Sequence, residues 1–310
     1  MPLFPSTFAQ LASLDVREDE PLVRKTWWRV GGSADGYVEV STIDELQLVC
    51  RATHETGCPL FVLGNASNVL IADRGVRGLV IRLRGELASV EPRGTGVLRV
   101  GGGAKLVPLV RKAPRQGWTG LEMLAGVPGT LGGAVKMNAG TRLGEISDAL
   151  LTVGVVMPDG SARTIPRDKL DMVYRDGGLP PGAVVAWARL RVGTRSAAES
   201  EALVEEHLAY RAKTQPVDVP TCGSTFRNPE GDSAGRLIEA CGLKGLRIGG
   251  AVVSDKHANF IENSGGAKAT EIRRLIGEVQ SRVWQAERVF LEPEVKFVGD
   301  WSDWDPEATL

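Results

Sequence analysis

The stretch that decides the fold is residues 125–134 (AGVPGTLGGA), which runs on to residues 137–140 (MNAG). A second small-residue loop, residues 63–68 (LGNASN), directly follows the apolar run at residues 59–63. Small side chains let the backbone approach a ligand closely, and successive free N–H groups in such loops form concavities that bind anions such as a pyrophosphate. Tight turns that only pack strands together are the alternative. The residues alone leave both interpretations open.

These loops differ from the common nucleotide-binding motifs. The chain has no G-x-G-x-x-G after a strand and no G-x-x-x-x-G-K-[ST], which excludes the Rossmann turn and the P-loop. Metal chemistry is equally unsupported, because the chain contains no C-x-x-C pair and no close grouping of soft ligands. Its cysteines and histidines are Cys50, Cys58, Cys222, Cys241, His54, His207 and His257. We expect no metal site and no disulfide framework.

Composition limits the partners. The chain has 310 residues, 43% hydrophobic and 24% charged, which is typical of a globular protein of two or three domains. Lys and Arg number 37 against 38 Asp and Glu, so there is no basic surplus to attract nucleic acid or a membrane surface. No apolar run approaches the roughly 18 residues of a membrane span, and no secretion signal is visible at the start. We expect a cytoplasmic monomer.

Periodicity predicts a mixture of strands and helices. Short apolar runs predict strands at residues 37–40, 59–63, 79–83, 153–157 and 183–192, with a hairpin turn at Asp159-Gly160. Capping boxes predict helices that begin after Thr42 and Ser196, the second ending near residue 214 before Pro216. Further helices are predicted at residues 234–241 and from about residue 270. The best domain boundary follows the helix at residues 196–213.

Several motifs in order resemble one family. Residues 26–32 (TWWRVGG), 63–68 and 120–140 resemble successive segments of the UDP-N-acetylenolpyruvoylglucosamine reductase family, also called UDP-N-acetylmuramate dehydrogenase. The resemblance covers roughly residues 20–299, although Ala66 stands where a glycine is usual. It implies an α+β fold: a two-lobed FAD-binding domain of the vanillyl-alcohol oxidase (PCMH) type plus a smaller α+β substrate domain.

The resemblance also implies a domain layout and a cofactor. We expect a first FAD-binding lobe at residues 1–68, a second at 69–200, a substrate-binding domain at 201–299 and an acidic tail at 300–310. FAD is expected to be non-covalent, because residues 63–68 and 125–140 contain no histidine or cysteine for attachment, and NADPH is the expected co-substrate. The expected cofactor-binding residues are Leu63, Gly64, Asn65, Ala66, Ser67, Asn68, Gly126, Pro128, Gly129, Thr130, Gly132, Gly133, Asn138, Ala139 and Gly140.

The implied reaction belongs to peptidoglycan precursor synthesis, and hence to cell-wall biogenesis, cell shape and cell division. It reduces the enolpyruvyl ether of a UDP-sugar, UDP-N-acetylglucosamine enolpyruvate, to the lactyl ether UDP-N-acetylmuramate. A hydride goes to the terminal alkene carbon, and the other carbon of the resulting enediolate-like intermediate takes up a proton. The protein must stabilise the charge that builds on the carboxylate and deliver that proton.

The resemblance implies reactive roles for three side chains that lie in matching segments. Residues 174–176 (YRD) resemble the family's Tyr-Arg motif, which implies that Arg175 stabilises the developing enolate. Residues 222–229 (CGSTFRNP) resemble Gly-Ser-x-Phe-x-Asn-Pro, which implies that Ser224 donates the proton. Within residues 291–295 (LEPEV), Glu294 aligns with the catalytic glutamate. The expected catalytic residues are therefore Arg175, Ser224 and Glu294.

Simpler interpretations exist for these residues. Composition alone would make Arg175 a surface arginine paired with Asp176, and Ser224 an ordinary turn serine. Glu292 is expected to be a solvated or structural charge. Cys222 could be a nucleophile by type, but the resemblance makes it only a neighbour of Ser224.

Substrate contacts are also implied by the resemblance. The expected substrate-binding residues are Tyr174, Lys213, Asn228, His257 and Asn259. Only 49 positions separate Arg175 from Ser224, which is too short for the tyrosine-bearing loop of the family's first type. The chain therefore resembles the second type. Two alternatives stay open: another FAD oxidase of the same superfamily, or a non-catalytic flavin-binding module.

Overall fold

The computed structural model describes residues 4–304, so residues 305–310 of the expected acidic tail lie outside the described residues. The α-helices are α1 (Pro5–Gln10), α2 (Ile43–Thr56), α3 (Leu106–Lys112), α4 (Leu131–Lys136), α5 (Ala197–Thr214), α6 (Ala234–Ala240) and α7 (Ala269–Glu287). Short 3-10 helices lie at Val23–Lys25, Gly85–Ala88, Pro114–Gln116, Glu122–Leu124, Ile146–Asp148 and Arg167–Lys169.

The strands account for the rest of the regular structure. They are β1 (Arg17–Pro21), β2 (Ser33–Val40), β3 (Leu60–Val62), β4 (Val69–Ile71), β5 (Val76–Leu83), β6 (Val90–Pro92), β7 (Val97–Gly101), β8 (Gly140–Thr141), β9 (Gly144–Glu145), β10 (Leu150–Val156), β11 (Ala162–Pro166), β12 (Val184–Arg191), β13 (Arg247–Ile248), β14 (Ala251–Val253), β15 (Ile261–Asn263) and β16 (Lys296–Val298). The predicted strands, the hairpin turn and the predicted helices are confirmed.

The described chain divides into two compact units. Unit 1 consists of residues 4–18, Asp35–Asn65 and Gly78–Tyr210. Unit 2 consists of Asp19–Ala34, Ala66–Arg77 and residues 211–304. The loop at residues 63–68 is thus shared: its first three residues belong to unit 1 and its last three to unit 2.

Unit 1 is built around two sheets. One contains β2, β5 and β3 side by side, with β3 parallel to β5 and Leu60 opposite Leu79. The other is antiparallel throughout, in the order β11-β10-β12-β7-β6. The second half of β12 alternates, with Ala188 and Leu190 buried and Arg189 exposed, whereas Val184, Val185 and Ala186 in its first half are buried in succession.

Local sequence explains why α2 begins and ends where it does. The Thr42 hydroxyl accepts a hydrogen bond from the Glu45 N–H at 3.2 Å, and the Glu45 carboxylate accepts one from the Thr42 N–H, which completes the capping box. Gly57 ends the helix with a left-handed φ of 68°. Leu46 and Val49 lie on one face of α2 and are buried in the apolar cluster that also contains residues of β2 and β5.

Unit 2 has its own core. Helix α7 buries Ile272, Leu275, Ile276, Val279 and Val283 at helical spacing against the sheet β13-β14-β15. Its first turn is capped from a distance, because the Asp73 carboxylate accepts hydrogen bonds from the N–H groups of Ala269 at 2.8 Å and Thr270 at 2.9 Å. Strands β4 and β16 pair in parallel.

Within residues 4–304, no helix combines the length and the apolarity that crossing a bilayer requires.

Candidate active site

The two glycine loops meet inside unit 1. The Asn65 side-chain amide donates a hydrogen bond to the Pro128 carbonyl. A Cβ placed on Gly64 would lie 2.8 Å from the Thr130 hydroxyl oxygen, so only glycine permits this close approach. The Leu63 N–H donates to the Ile81 carbonyl at 2.8 Å and fixes the loop to the end of β5. The structure thus brings together two loops that lie far apart in the chain.

A cavity of about 470 Å³ lies in unit 1, within the usual size range of small-molecule sites. The predicted cofactor residues of this unit that line it are Leu63, Gly64, Asn65, Thr130, Gly132 and Gly133. Gly126, Pro128, Gly129, Asn138, Ala139 and Gly140 are not among the lining residues. Their role as cofactor contacts stays a prediction.

The cavity wall fits a pyrophosphate. The backbone N–H groups of Gly64 and Asn65 donate to no other residue in the described part of the chain. A Cβ placed on Gly133 would meet nothing closer than the Thr130 hydroxyl oxygen at 3.7 Å, so its backbone borders open space. Free N–H groups and bare glycine backbone suit an anionic ligand that approaches closely.

Cations among the lining residues strengthen this fit. Arg82, Lys105 and Lys136 line the cavity, and Arg82 also donates through Nε to the Gly64 carbonyl at 3.2 Å. Sequence reasoning missed these three residues. They lie on different elements of the fold. Tertiary packing brings them to the cavity, and no short sequence motif indicates that.

Arg175 lies at the tip of a tight hairpin in unit 1. Val173 and Asp176 exchange two backbone hydrogen bonds, both 3.0 Å long, around Tyr174 and Arg175. Arg175 adopts a left-handed φ of 60°, and its guanidinium carbon lies 4.5 Å from the centroid of the Tyr174 ring. Tyr174 is 45% exposed. The predicted pair is therefore presented at a surface tip.

The segments that carry Ser224 and Glu294 are adjacent in unit 2. Phe226 and Pro293 form an antiparallel bridge, and the Glu294 N–H donates to the Thr225 carbonyl at 2.8 Å. The Ser224 hydroxyl makes no hydrogen bond to any residue within 4–304 and is only partly buried. Glu292 is exposed and forms an ion pair with Arg227 at 3.3 Å, in agreement with its expected role as a solvated charge.

The last part of the first loop contacts both of these segments within unit 2. The Cys222 thiol donates to the Ala66 carbonyl at 3.5 Å, and the Asn68 side-chain amide donates to the Glu294 carbonyl at 3.2 Å. Ala66 has a left-handed φ of 51°, which explains why glycine suits this position better than alanine.

The Cys222 thiol is chemically quiet. The side chain is buried, and burial raises the pKa of the Cys222 thiol to about 12. Because the thiolate is the nucleophilic form, Cys222 is inert near neutral pH. Its structural contact with Ala66 fits the expectation that it is a neighbour of Ser224.

The expected substrate residues of unit 2 are partly committed to protein contacts. Asn259 is buried and holds the Phe226 backbone twice, accepting from its N–H at 2.9 Å and donating to its carbonyl at 2.8 Å. Asn228 accepts from the Ala234 N–H at 3.1 Å. His257 accepts from the Asn259 N–H through Nδ1 at 3.2 Å, and burial lowers the pKa of His257. Lys213 is exposed.

Two known protein families match parts of this chain. Residues 34–165 match the FAD binding domain family, and residues 215–298 match the C-terminal domain of UDP-N-acetylenolpyruvoylglucosamine reductase. A protein named UDP-N-acetylenolpyruvoylglucosamine reductase from Anaeromyxobacter sp. (strain K) is 45% identical over 290 residues, which is 94% of this chain and 88% of that protein.

The chain belongs to the UDP-N-acetylenolpyruvoylglucosamine reductase family.

Further relatives of this reductase family agree. The protein of the same name from Syntrophotalea carbinolica is 40% identical over 299 residues, covering 96% of this chain and 99% of that protein. A crystal structure of UDP-N-acetylenolpyruvylglucosamine reductase from Thermus caldophilus matches with a TM-score of 0.80 at 40% identity, covering 92% of this chain and 98% of that one. The expected α+β fold with an FAD-binding domain is confirmed.

Proposed function

We propose that this protein reduces UDP-N-acetylglucosamine enolpyruvate to UDP-N-acetylmuramate with NADPH through bound FAD, a step of peptidoglycan precursor synthesis. Relatives named for this reductase, at 40% identity or more over nearly the whole chain, support the proposal. The structural observation that carries it is the contact of residues 66–68 with both the Ser224 and the Glu294 segments. The predicted cofactor loop thereby adjoins the predicted proton donor.

FAD, when bound, supplies the hydride that it has received from NADPH. Gly64, Asn65 and residues 130–133 hold its pyrophosphate, and the cavity cations balance the negative charge. Non-covalent binding is part of the proposal, because residues 63–68 and 125–140 contain no histidine or cysteine. Cys50, Cys58 and His54 also line the cavity, and burial raises the pKa of both thiols, that of Cys50 to about 12. Few thiolates are present at neutral pH to attack a flavin.

Arg175 binds the carboxylate of the enolpyruvyl group. Its planar guanidinium can form two parallel hydrogen bonds with a carboxylate. Hydride addition to the terminal alkene carbon moves negative charge onto that carboxylate, so the contact strengthens in the transition state. Tyr174 stacks on the guanidinium and contacts the same substrate.

Ser224 gives its hydroxyl proton to the second alkene carbon, which completes the addition of one hydride and one proton. Gly223 precedes it with a left-handed φ of 75°, and the hydroxyl is unengaged by the rest of residues 4–304. Serine is a weak acid, so it needs a neighbouring charge or relay to act near neutral pH. Glu294, on the adjacent segment, serves the carboxylate end or this proton network.

The UDP portion meets the remaining predicted residues. Lys213 supplies an exposed cation for the diphosphate. Asn228, His257 and Asn259 line the nucleotide side, with Asn259 also fixing the Phe226 backbone. As in the second type of the family, closure over the substrate relies on contacts other than a tyrosine-bearing loop.

The wider setting is part of the same proposal. The protein acts as a cytoplasmic monomer on a small UDP-sugar, without a nucleic-acid or membrane partner. Its FAD-binding region comprises lobes at residues 1–68 and 69–200, and residues 201–299 bind the substrate. Loss of the activity would affect cell-wall growth, cell shape and division.

The test begins with the purified protein. Its absorption spectrum should show the two flavin bands. Under anaerobic conditions NADPH should bleach them, and UDP-N-acetylglucosamine enolpyruvate should restore them faster than air does. Rapid reoxidation by oxygen alone would favour an FAD oxidase, and flavin content without turnover of any enolpyruvyl sugar would favour a binding module.

Ser224→Ala tests the proton donor. Bleaching by NADPH should stay at the wild-type rate, whereas reoxidation by the enolpyruvyl substrate should slow by orders of magnitude, because only the second half-reaction needs the proton. Ser281→Ala, an exposed position on α7, is the matched control and should leave both rates unchanged. Wild-type reoxidation in Ser224→Ala would refute the assignment.

A further inference from the structure

The hairpin that presents Arg175 has a narrow base. Its tip is closed by the paired backbone hydrogen bonds between Val173 and Asp176. The left-handed φ of 60° at Arg175 is costly for a residue with a side chain and persists only where surrounding contacts enforce it. The direction of the Arg175 guanidinium therefore depends on the contacts that fix the two chain segments on either side of the hairpin tip.

The base is fastened to the segment that follows the second glycine loop. The Gly177 N–H donates to the Lys136 carbonyl, at the end of α4, at 3.0 Å. The Asn138 side-chain amide donates to the Val173 carbonyl at 3.1 Å. That carbonyl also accepts the Asp176 N–H, so both of its lone pairs are used. Asn138 thus binds the residue immediately before the Tyr174-Arg175 tip.

The Asn138 side chain is itself immobilised. It is 1% exposed, and its other amide hydrogen goes to Glu145 Oε2 at 2.6 Å. Its Oδ1 accepts the Ser147 N–H at 3.3 Å. With both amide hydrogens committed to protein oxygens, no amide donor is left for a ligand. This buried amide is a link between three backbone segments.

We infer that Asn138 is a positioning residue for Arg175. It clamps the Val173 carbonyl and so fixes the orientation from which Arg175 meets the substrate carboxylate. This role rests on the proposed function, because it acts only through the catalytic contribution of Arg175. A displacement of the guanidinium by about 1 Å can lower the rate of the step it assists by about 100-fold.

Asn138→Gly is the decisive variant. Asn138 has a left-handed φ of 41°, which glycine adopts without strain, so the substitution removes the amide and leaves the local backbone acceptable. Any change in FAD content or in reduction by NADPH would report the separately predicted cofactor role of Asn138, so reoxidation is compared per bound FAD. Reoxidation by the enolpyruvyl substrate should slow by about 10- to 100-fold.

A double-mutant cycle separates positioning from general damage. Arg175→Ala should slow reoxidation strongly, and adding Asn138→Gly to it should cause no further loss, because the clamp has nothing left to orient. Full additivity of the two effects, or equal slowing of both half-reactions in Asn138→Gly, would overturn the inference. Wild-type reoxidation in Arg175→Ala would instead refute the catalytic assignment of Arg175.

A second readout needs neither cofactor nor substrate. In the apoprotein, trypsin should cleave after Arg175 faster in Asn138→Gly than in the wild type, because the released hairpin opens more often. Cleavage elsewhere should keep its wild-type rate. Should the glycine variant fold poorly, Asn138→Ser serves in its place, since it also removes the amide donor to Val173 without burying a charge beside Glu145. Unchanged cleavage after Arg175 in a folded variant would contradict the clamp.

Discussion

The substitution Gly133→Ala distinguishes the effect of position 133 on FAD affinity from its effect on protein stability. Gly133 lies in the first turn of α4 and lines the cavity. The nearest protein atom to a Cβ at this position would be the Thr130 hydroxyl oxygen at 3.7 Å, an ordinary van der Waals distance. Gly133→Ala therefore adds a methyl group that the protein accepts and that projects into the space for the ligand.

The two expected effects have opposite signs. Replacing glycine by alanine in a helix stabilises it by up to about 1 kcal/mol, so the apoprotein should melt at the same temperature or slightly higher. An extra methyl group in a closely packed contact costs about 1–3 kcal/mol. The dissociation constant of FAD should therefore rise by about 5- to 150-fold.

Two measurements and two reference variants resolve these effects. Thermal unfolding of the apoprotein reports stability, and titration of flavin fluorescence reports FAD affinity. Gly277→Ala lies in α7 with nothing within 4 Å of the new Cβ and outside the cavity lining. Gly277→Ala should stabilise the apoprotein without changing its affinity for FAD. Gly132→Ala, whose Cβ would lie 3.0 Å from the Gly102 carbonyl oxygen, should weaken both stability and affinity.

One result would refute the assignment of this cavity. If folded Gly133→Ala binds FAD with the wild-type dissociation constant, the backbone at Gly133 does not border the cofactor. A loss of apoprotein stability in Gly133→Ala would contradict the open space beside it.

Two further predictions concern the hairpin and pH. Gly177→Ala would place a Cβ 2.0 Å from the Val135 carbonyl oxygen, so the Arg175 hairpin must shift. We expect a loss of about 1–3 kcal/mol in unfolding free energy and slower reoxidation of the flavin by substrate. Wild-type values of both quantities would contradict the close contact between the hairpin and the end of α4. Burial lowers the pKa of His257 in the folded state, so the folded protein binds fewer protons there than the unfolded chain. Stability from this group is complete above about pH 6.5 and falls as pH drops through the lowered pKa. Urea titrations at a series of pH values should show that the unfolding free energy falls less with decreasing pH in His257→Gln than in the wild type. An equal dependence of the unfolding free energy on pH in both proteins would exclude this contribution.

Much of the fold was predictable because its signals are local. The capping box at Thr42, the left-handed glycine at residue 57 and the apolar face of α7 involve residues within a few positions of one another. Hydrogen bonds and periodicities of this range are encoded in adjacent sequence. The glycine loops were recognisable for the same reason, since their backbone freedom is a property of the residues themselves.

The candidate site was predictable only as a set of segments. The resemblance pointed to Arg175, Ser224 and Glu294, and the structure adds that the Ser224 and Glu294 segments bridge at Phe226 and Pro293. Their catalytic roles stay predictions. Ala66 looked like a slightly larger residue in a glycine loop, and its positive φ shows that backbone conformation is what favours glycine there.

The amino-acid sequence by itself determined the family, the helices and strands, and the small-residue loops that let a backbone approach a phosphate. Only the tertiary structure decided that Arg82, Lys105 and Lys136 line one cavity, that Asp73 caps a helix almost 200 residues away, and that Asn138 holds the base of the Arg175 hairpin. These contacts join residues distant in the chain. Their partners are selected by how sheets and helices pack, and no short-range pattern of residue types records that choice.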